Sequence, residues 1–228
     1  MDVLFTINED GLLENAEFDD MAGLDLDDEF EDMADYLLKT EVVIPGSVKR
    51  IGDRAFYDKR WLTDVNIPDS VVSIGNEAFT DCNYLINITL PDSLVAVGKK
   101  AFAWCESLTD ISIPKSVVRL EDMAFYACSS LENIEIADGV SAIGENVFAY
   151  CNSLKSVVLP KSVTTIGNSA FSECKALTSV TIMNDTALIA PDAFSECGEE
   201  LTIYAKKGSS AEKYADENSF NFEPIFLA

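Results

Sequence analysis

The chain has 228 residues, 48% of them apolar and 25% charged, the balance of a globular protein of one or two domains. A formal charge of −24 argues against nucleic acid or anionic lipid as partners, because binding either requires Lys and Arg to neutralise phosphate. Histidine is absent, which removes histidine-based triads and histidine-ligated metal sites.

The opening stretch, MDVLFTINEDGLLENAEF, lacks the basic and apolar regions of a secretory signal. As it stands the chain is expected in the cytoplasm, or at the cell surface or secreted if a signal peptide has been removed. Residues 1–40 hold fourteen Asp and Glu against one lysine, Lys39. Within them DLDDEFEDMADY (Asp25–Tyr36) gathers carboxylates without the Asp-x-Asp-x-Asp-Gly order of a calcium loop. A solvated acidic insertion is expected, with Phe30, Met33, Leu37 and Leu38 at helical spacing. Residues 1–41 form an acidic lead-in and cap on this reading.

From residue 42 the sequence is periodic. Cys82, Cys105, Cys128, Cys151, Cys174 and Cys197 fall 23 residues apart, and these are all the cysteines present. Pro45, Pro68, Pro91, Pro114 and Pro160 keep the same step, with Ala137 in the vacant place. So do Phe56, Phe79, Phe102, Phe125, Phe148, Phe171 and Phe194. The unit reads Pro-x-Ser-Val-x-x-Ile-Gly-x-x-Ala-Phe-x-x-Cys-x-x-Leu-x-x-Val-x-Ile, and seven copies fill residues 42–203. One unit cannot cover its own apolar positions, but stacked units cover one another, as in a solenoid.

Val65-Asn66-Ile67, Ile88-Thr89-Leu90 and their equivalents alternate apolar and polar residues, predicting one short parallel strand per coil on a concave face. GNEAFTDC and its copies predict short helical turns on the convex face, with Ala and Phe inward. Gly52, Gly75, Gly98, Gly144 and Gly167 mark positive φ or close backbone approach; Glu121 breaks the series. The cysteines would stack as a ladder of small buried hydrophobes. Their spacing of ~5 Å tolerates a disulfide, yet in-register copies point the same way, so free thiols are expected.

Residues 204–228 end the chain. Ser209 or Ser210 can cap a helix whose Ala211, Tyr214 and Ala215 face the last coil, leaving Glu212, Lys213, Asp216 and Glu217 for solvent.

IPDSVVSIGNEAFTDCNYLINITLP (Ile67–Pro91) closely resembles the repeat of the BspA-like leucine-rich repeat family. FTINEDGLL (Phe5–Leu13) is similar to the family's N-terminal lead-in, an extended pair around a glycine turn, and LTIYAKKGSSAEKYADENSFNF (Leu201–Phe222) to its C-terminal cap. The resemblance implies an α/β solenoid, a right-handed parallel coil array capped at both ends. It also implies a non-enzymatic protein-interaction scaffold or, alternatively, a cell-surface adhesin module that binds a host matrix protein or a glycan.

Signatures of chemistry are weak. No Gly-x-Ser-x-Gly elbow occurs, and GVSAIGEN (Gly139–Asn146) has Glu145-Asn146 where a phosphate loop needs Lys-Ser/Thr. No catalytic residue, metal ligand or cofactor is assigned, and a monomer is expected. Two surfaces stand as partner candidates. One is the outward strand face carrying Asp64, Asn87, Asp110 and Asn133, polar enough to read a protein or a glycan. The other is a set of aromatics outside the core consensus: Trp61, Tyr84, Trp104, Tyr126 and Tyr150. Such residues are enriched in binding hot spots, and stacking is expected to gather them on one flank.

Overall fold

A computed structural model describes residues 3–18 and 41–225. The acidic insertion and its docking helix therefore lie outside the described residues. The repeats form a parallel β-solenoid of about eight stacked turns.

The strands ahead of each proline position pair in parallel at the 23-residue step, as Asn133 does with Asp110 and Ser156. Their alternation buries every second side chain: in Ser156–Leu159, Val157 and Leu159 are buried while Ser156 and Val158 are exposed. This sheet has a seam. Glu41–Val43, Asp64–Asn66 and Asn87–Thr89 make a three-stranded ladder, and Asp110–Ile113 begins a separate six-stranded one that ends on Asn221–Pro224.

Each coil contributes a second strand that the sequence did not announce. Arg50–Ile51, Ser73–Ile74, Ala96–Val97 and their copies to Leu188–Ile189 form a nine-stranded sheet with the N-terminal hairpin Val3–Ile7 and Leu12–Phe18. Two-residue strands are too short to show alternation. The hairpin turns at Gly11, at φ 73°, and pairs Leu12 and Leu13 with Arg50 and Ile51 of the first coil.

The expected helical turns on the convex arc are absent. Thr80 and Cys82 donate to Glu77 and Phe79 in tight four-residue turns, while Glu77, Phe79 and Asp81 donate to Lys99, Ala101 and Ala103 of the next coil at 2.7–3.0 Å. A helix would spend these N–H groups within its own coil; alternating turns aim every second one along the stack. The geometry requires left-handed backbone at Glu77 (φ 55°) and Asp81 (φ 62°) and at their equivalents, save Asp192 in the last coil.

The repeat glycines serve close approach, and positive φ among the described glycines is confined to Gly11 and Gly208. A Cβ on Gly98 would sit 2.6 Å from the Gly75 carbonyl carbon of the preceding coil, so only hydrogen fits there.

The core is a column. Phe56 through Phe194 are fully buried, with neighbouring ring centroids 4.7–5.5 Å apart and planes 7–20° from parallel. Tyr214 closes the column, 5.9 Å from Phe194 and turned edge-on. It belongs to the single α-helix among the described residues, Ser210–Asn218, which Ser209 caps by accepting from the Glu212 N–H. Ala211, Tyr214 and Ala215 are its buried face, as the sequence predicts.

Candidate functional site

The thiols lie beside the phenylalanine column. Each sulfur points at the carbonyl of the phenylalanine 26 residues earlier, from Cys82 to Phe56 at 3.0 Å through Cys197 to Phe171 at 3.1 Å. All six are free; five are buried and Cys197 is half-buried. Burial pushes Cys128 up to about 12, so it is a poor nucleophile, and Cys197 rises to about 11. Among the described residues no cluster of His, Cys, Asp or Glu is placed to hold a metal ion, and no helix is long and apolar enough to cross a membrane.

The outward face of the first sheet is polar and locally self-paired. Asn87 Nδ2 donates to Asp64 Oδ1 and Asn133 Nδ2 donates to Asp110 Oδ1, both at 2.7 Å. Thr109 and Asn133 hold the Asp110 carboxyl below the usual carboxylate range. Glu41, Asp64, Asn66, Asn87 and Thr89 border a shallow cleft of about 590 Å³.

The five aromatics occupy three repeat positions: Trp61 and Tyr84 share one, Trp104 and Tyr150 a second, and Tyr126 the position just before the second. Trp61 and Tyr84 lie two residues past the cysteine slot, which Lys59 fills in the first coil. Trp61 is only 7% exposed and packs in the core, so it is not part of a surface flank; Tyr84, one coil on, is 43% exposed.

Trp104, Tyr126 and Tyr150 form one cluster ahead of the cysteine slot, on three successive coils. Tyr126 stands 5.2 Å from Trp104 at 67° and 5.4 Å from Tyr150 at 63°, so the rings alternate edge to face. Trp104 and Tyr126 are half-buried and Tyr150 is exposed.

The sequence builds this herringbone by alternation. The three coils read Phe-Ala-Trp-Cys, Phe-Tyr-Ala-Cys and Phe-Ala-Tyr-Cys, so Ala103, Ala127 and Ala149 lie beside the large rings. Three aromatics at one position would stack face to face, like the core phenylalanines. Offsetting the middle one by a residue turns its ring. The expectation of a flank named the aromatics but missed the alanines, although the swap is visible in those tetrapeptides.

Trp104 and Tyr150 also occupy the left-handed slot of their coils, at φ 58° and 63°. That conformation costs an L-residue ~1–2 kcal/mol, and short polar side chains such as Asp tolerate it best. Asp58 and Asp81 fill the same slot in the first two coils. A tryptophan there gains nothing in backbone energy.

With this geometry, the model for the BspA type leucine-rich repeat region matches residues 34–152 and 72–202, in six copies. The chain belongs to that family. It is 27% identical to a leucine-rich repeat protein from Eubacterium ventriosum, with a TM-score of 0.63 over 70% of this chain and 43% of that one. A leucine-rich repeat protein from Bacteroides ovatus is 24% identical over 82% of this chain and 61% of its own, with a TM-score of 0.46. The T. pallidum leucine-rich repeat protein is 26% identical over 80% of this chain and 85% of its own, with a TM-score of 0.47. The chain thus spans less than two thirds of the first two structures. Comparison with curated proteins gave no match.

Proposed function

We propose that this leucine-rich repeat chain is a non-enzymatic protein-interaction scaffold that engages its partner through the flank of Trp104, Tyr126 and Tyr150. One observation carries the reading: large aromatics are held at the surface in a fixed herringbone, two of them in a backbone conformation that penalises them. Rigid aromatic clusters of this kind supply most of the energy in many protein interfaces, at little entropic cost. The thiols are buried and raised in pKa, which speaks against a nucleophilic role for them.

Capture from a native lysate tests the proposal when wild type is run beside Trp104→Ala and Asn87→Ala. A specific partner should be retained by wild type and Asn87→Ala and lost by Trp104→Ala. Loss with Asn87→Ala instead would move the site to the strand face.

That strand face supports a second reading, an adhesin module for a host matrix protein or a glycan. Its Asp–Asn pairs and the cleft beside Asp64 and Asn87 offer fixed donors and acceptors to hydroxyl groups. A glycan array screened with wild type and Asn87→Ala distinguishes it, since binding there should not respond to Trp104→Ala.

A further inference from the structure

The molecule holds an internal example of what its aromatic flank can accept. Tyr57 occupies the repeat position that Tyr126 occupies three coils later, and the guanidinium of Arg54 lies over the Tyr57 ring at 4.1 Å from its centre. In the coil of Tyr126 the place of Arg54 is taken by Met123, with the same left-handed backbone (φ 60° against 61°) and no charge. The same slot geometry therefore sets a tyrosine beside an arginine in one coil and beside an uncharged methionine in the other.

The charges around the flank favour a cation. In the slot of Trp104 and Tyr150, the coils on one side carry Asp58 and Asp81, and those on the other carry Glu173 and Glu196. Arg60 pairs with Asp58 at 2.8 Å and Lys175 with Glu173 at 2.7 Å, so part of this charge is already balanced. Glu106, exposed just after Cys105, adds to it; Glu77 is paired with Arg54 at 3.5 Å, and Lys100 opposes it. The ridge thus runs acidic, aromatic, acidic along the stack, on a chain of net charge −24.

We infer that the Trp104–Tyr126–Tyr150 flank binds an arginine-bearing segment of a protein partner, with a guanidinium over Tyr126 as Arg54 lies over Tyr57. This rests on the flank being the partner site proposed above. Arginine is favoured over lysine because a planar guanidinium stacks on a ring face while its N–H groups still reach carboxylates at the margin.

The probes are nine-residue Gly/Ser peptides carrying three arginines, three lysines or three citrullines, titrated calorimetrically at about 0.15 M salt, where the Debye length of ~8 Å weakens diffuse attraction. The arginine peptide should bind wild type at least tenfold more tightly than the citrulline peptide and several-fold more tightly than the lysine peptide. Tyr126→Phe should keep that affinity because the ring face remains. Tyr126→Leu should lose it at least tenfold. Met123→Arg should lose it as well by supplying the cation from within, at a slot whose backbone already suits arginine in the first coil. Thermal midpoints of the variants, measured alongside, confirm that the fold persists.

Equal binding of arginine and lysine peptides, unaffected by Tyr126→Leu, would reduce the attraction to diffuse charge and overturn the inference. No binding, or self-association of the chain abolished by Trp104→Leu, would overturn it too, the latter replacing the peptide with a second copy. If a native partner requires Trp104 but the arginine peptide does not displace it, this inference falls while the scaffold reading stands. If no partner depends on Trp104, that reading falls on its own.

Discussion

Two aromatic columns run along this solenoid, and they obey different rules. The core column places phenylalanine at one position in seven coils, and its rings lie nearly parallel at 4.7–5.5 Å. The flank column shifts position from coil to coil, and its rings cross at 63–67° at almost the same spacing. The coil rise fixes both distances. The repeat fixes the first orientation, and a departure from the repeat fixes the second. What keeps the period holds the fold together; this departure from it is the surface proposed above for a partner.

Truncating one ring in each column should have opposite consequences. Phe125→Ala in mid-array should cost ~3–5 kcal/mol of stability by leaving a cavity between two coils. Phe194→Ala should cost less, because Tyr214 of the terminal helix can settle against the gap. Denaturant unfolding measures both, and equal losses would contradict a stacked column with an adjustable end.

Trp104→Ala should do the opposite. It should weaken partner binding by at least ~2 kcal/mol and leave the unfolding midpoint close to wild type. A large loss of stability would make the flank part of the core after all.

The thiols sharpen the distinction at about 1.4 kcal/mol per pH unit for each residue. Cys128 is raised by burial to about 12 in the fold, against ~8.5 in an unfolded chain. Between those values the unfolded chain has released a proton that the folded chain retains. The stability is whole below the lower value and declines as pH rises toward the upper one. Unfolding midpoints from about pH 8 to pH 11 should fall accordingly, and Cys128→Ala should remove one thiol's share of the slope. In native labelling, half-buried Cys197 should react first; simultaneous reaction of all six would deny the ladder its burial.

The smallest effect belongs to the strand face. Asn87→Ala removes one exposed hydrogen bond to Asp64 and should change stability by less than ~1 kcal/mol and partner binding hardly at all.

Sequence periodicity revealed the coils and their buried positions. Phe, Cys, Leu and Pro at 23-residue spacing were enough to predict coils, column and ladder, and Ser209 with Ala211, Tyr214 and Ala215 predicted the terminal helix. The second strand of each coil was hidden because Arg50–Ile51 and its copies are too short to display a pattern. The convex arc was misread as helical because Ala78 and Phe79, both buried, fit a helical turn as well as the alternating turns that form. Trp61 and Tyr84 share a repeat position yet differ from 7% to 43% exposure, which a strict repeat does not announce. At the candidate site the rings were legible individually, but their crossing depends on Ala103, Ala127 and Ala149, which carry no signal until neighbouring coils are compared.

The alternation has a parity. Repeat arrays gain and lose whole units when their coding segments misalign, and a solenoid core is indifferent to such changes because every unit presents the same contacts to the next. The herringbone is not indifferent. Excising the 23 residues that carry Tyr126 would bring Trp104 against Tyr150 in the same slot, leaving the column of phenylalanines seamless and the crossed rings gone. Loss of that unit would thus keep the core column while removing the crossed rings, so the middle three coils form one cassette.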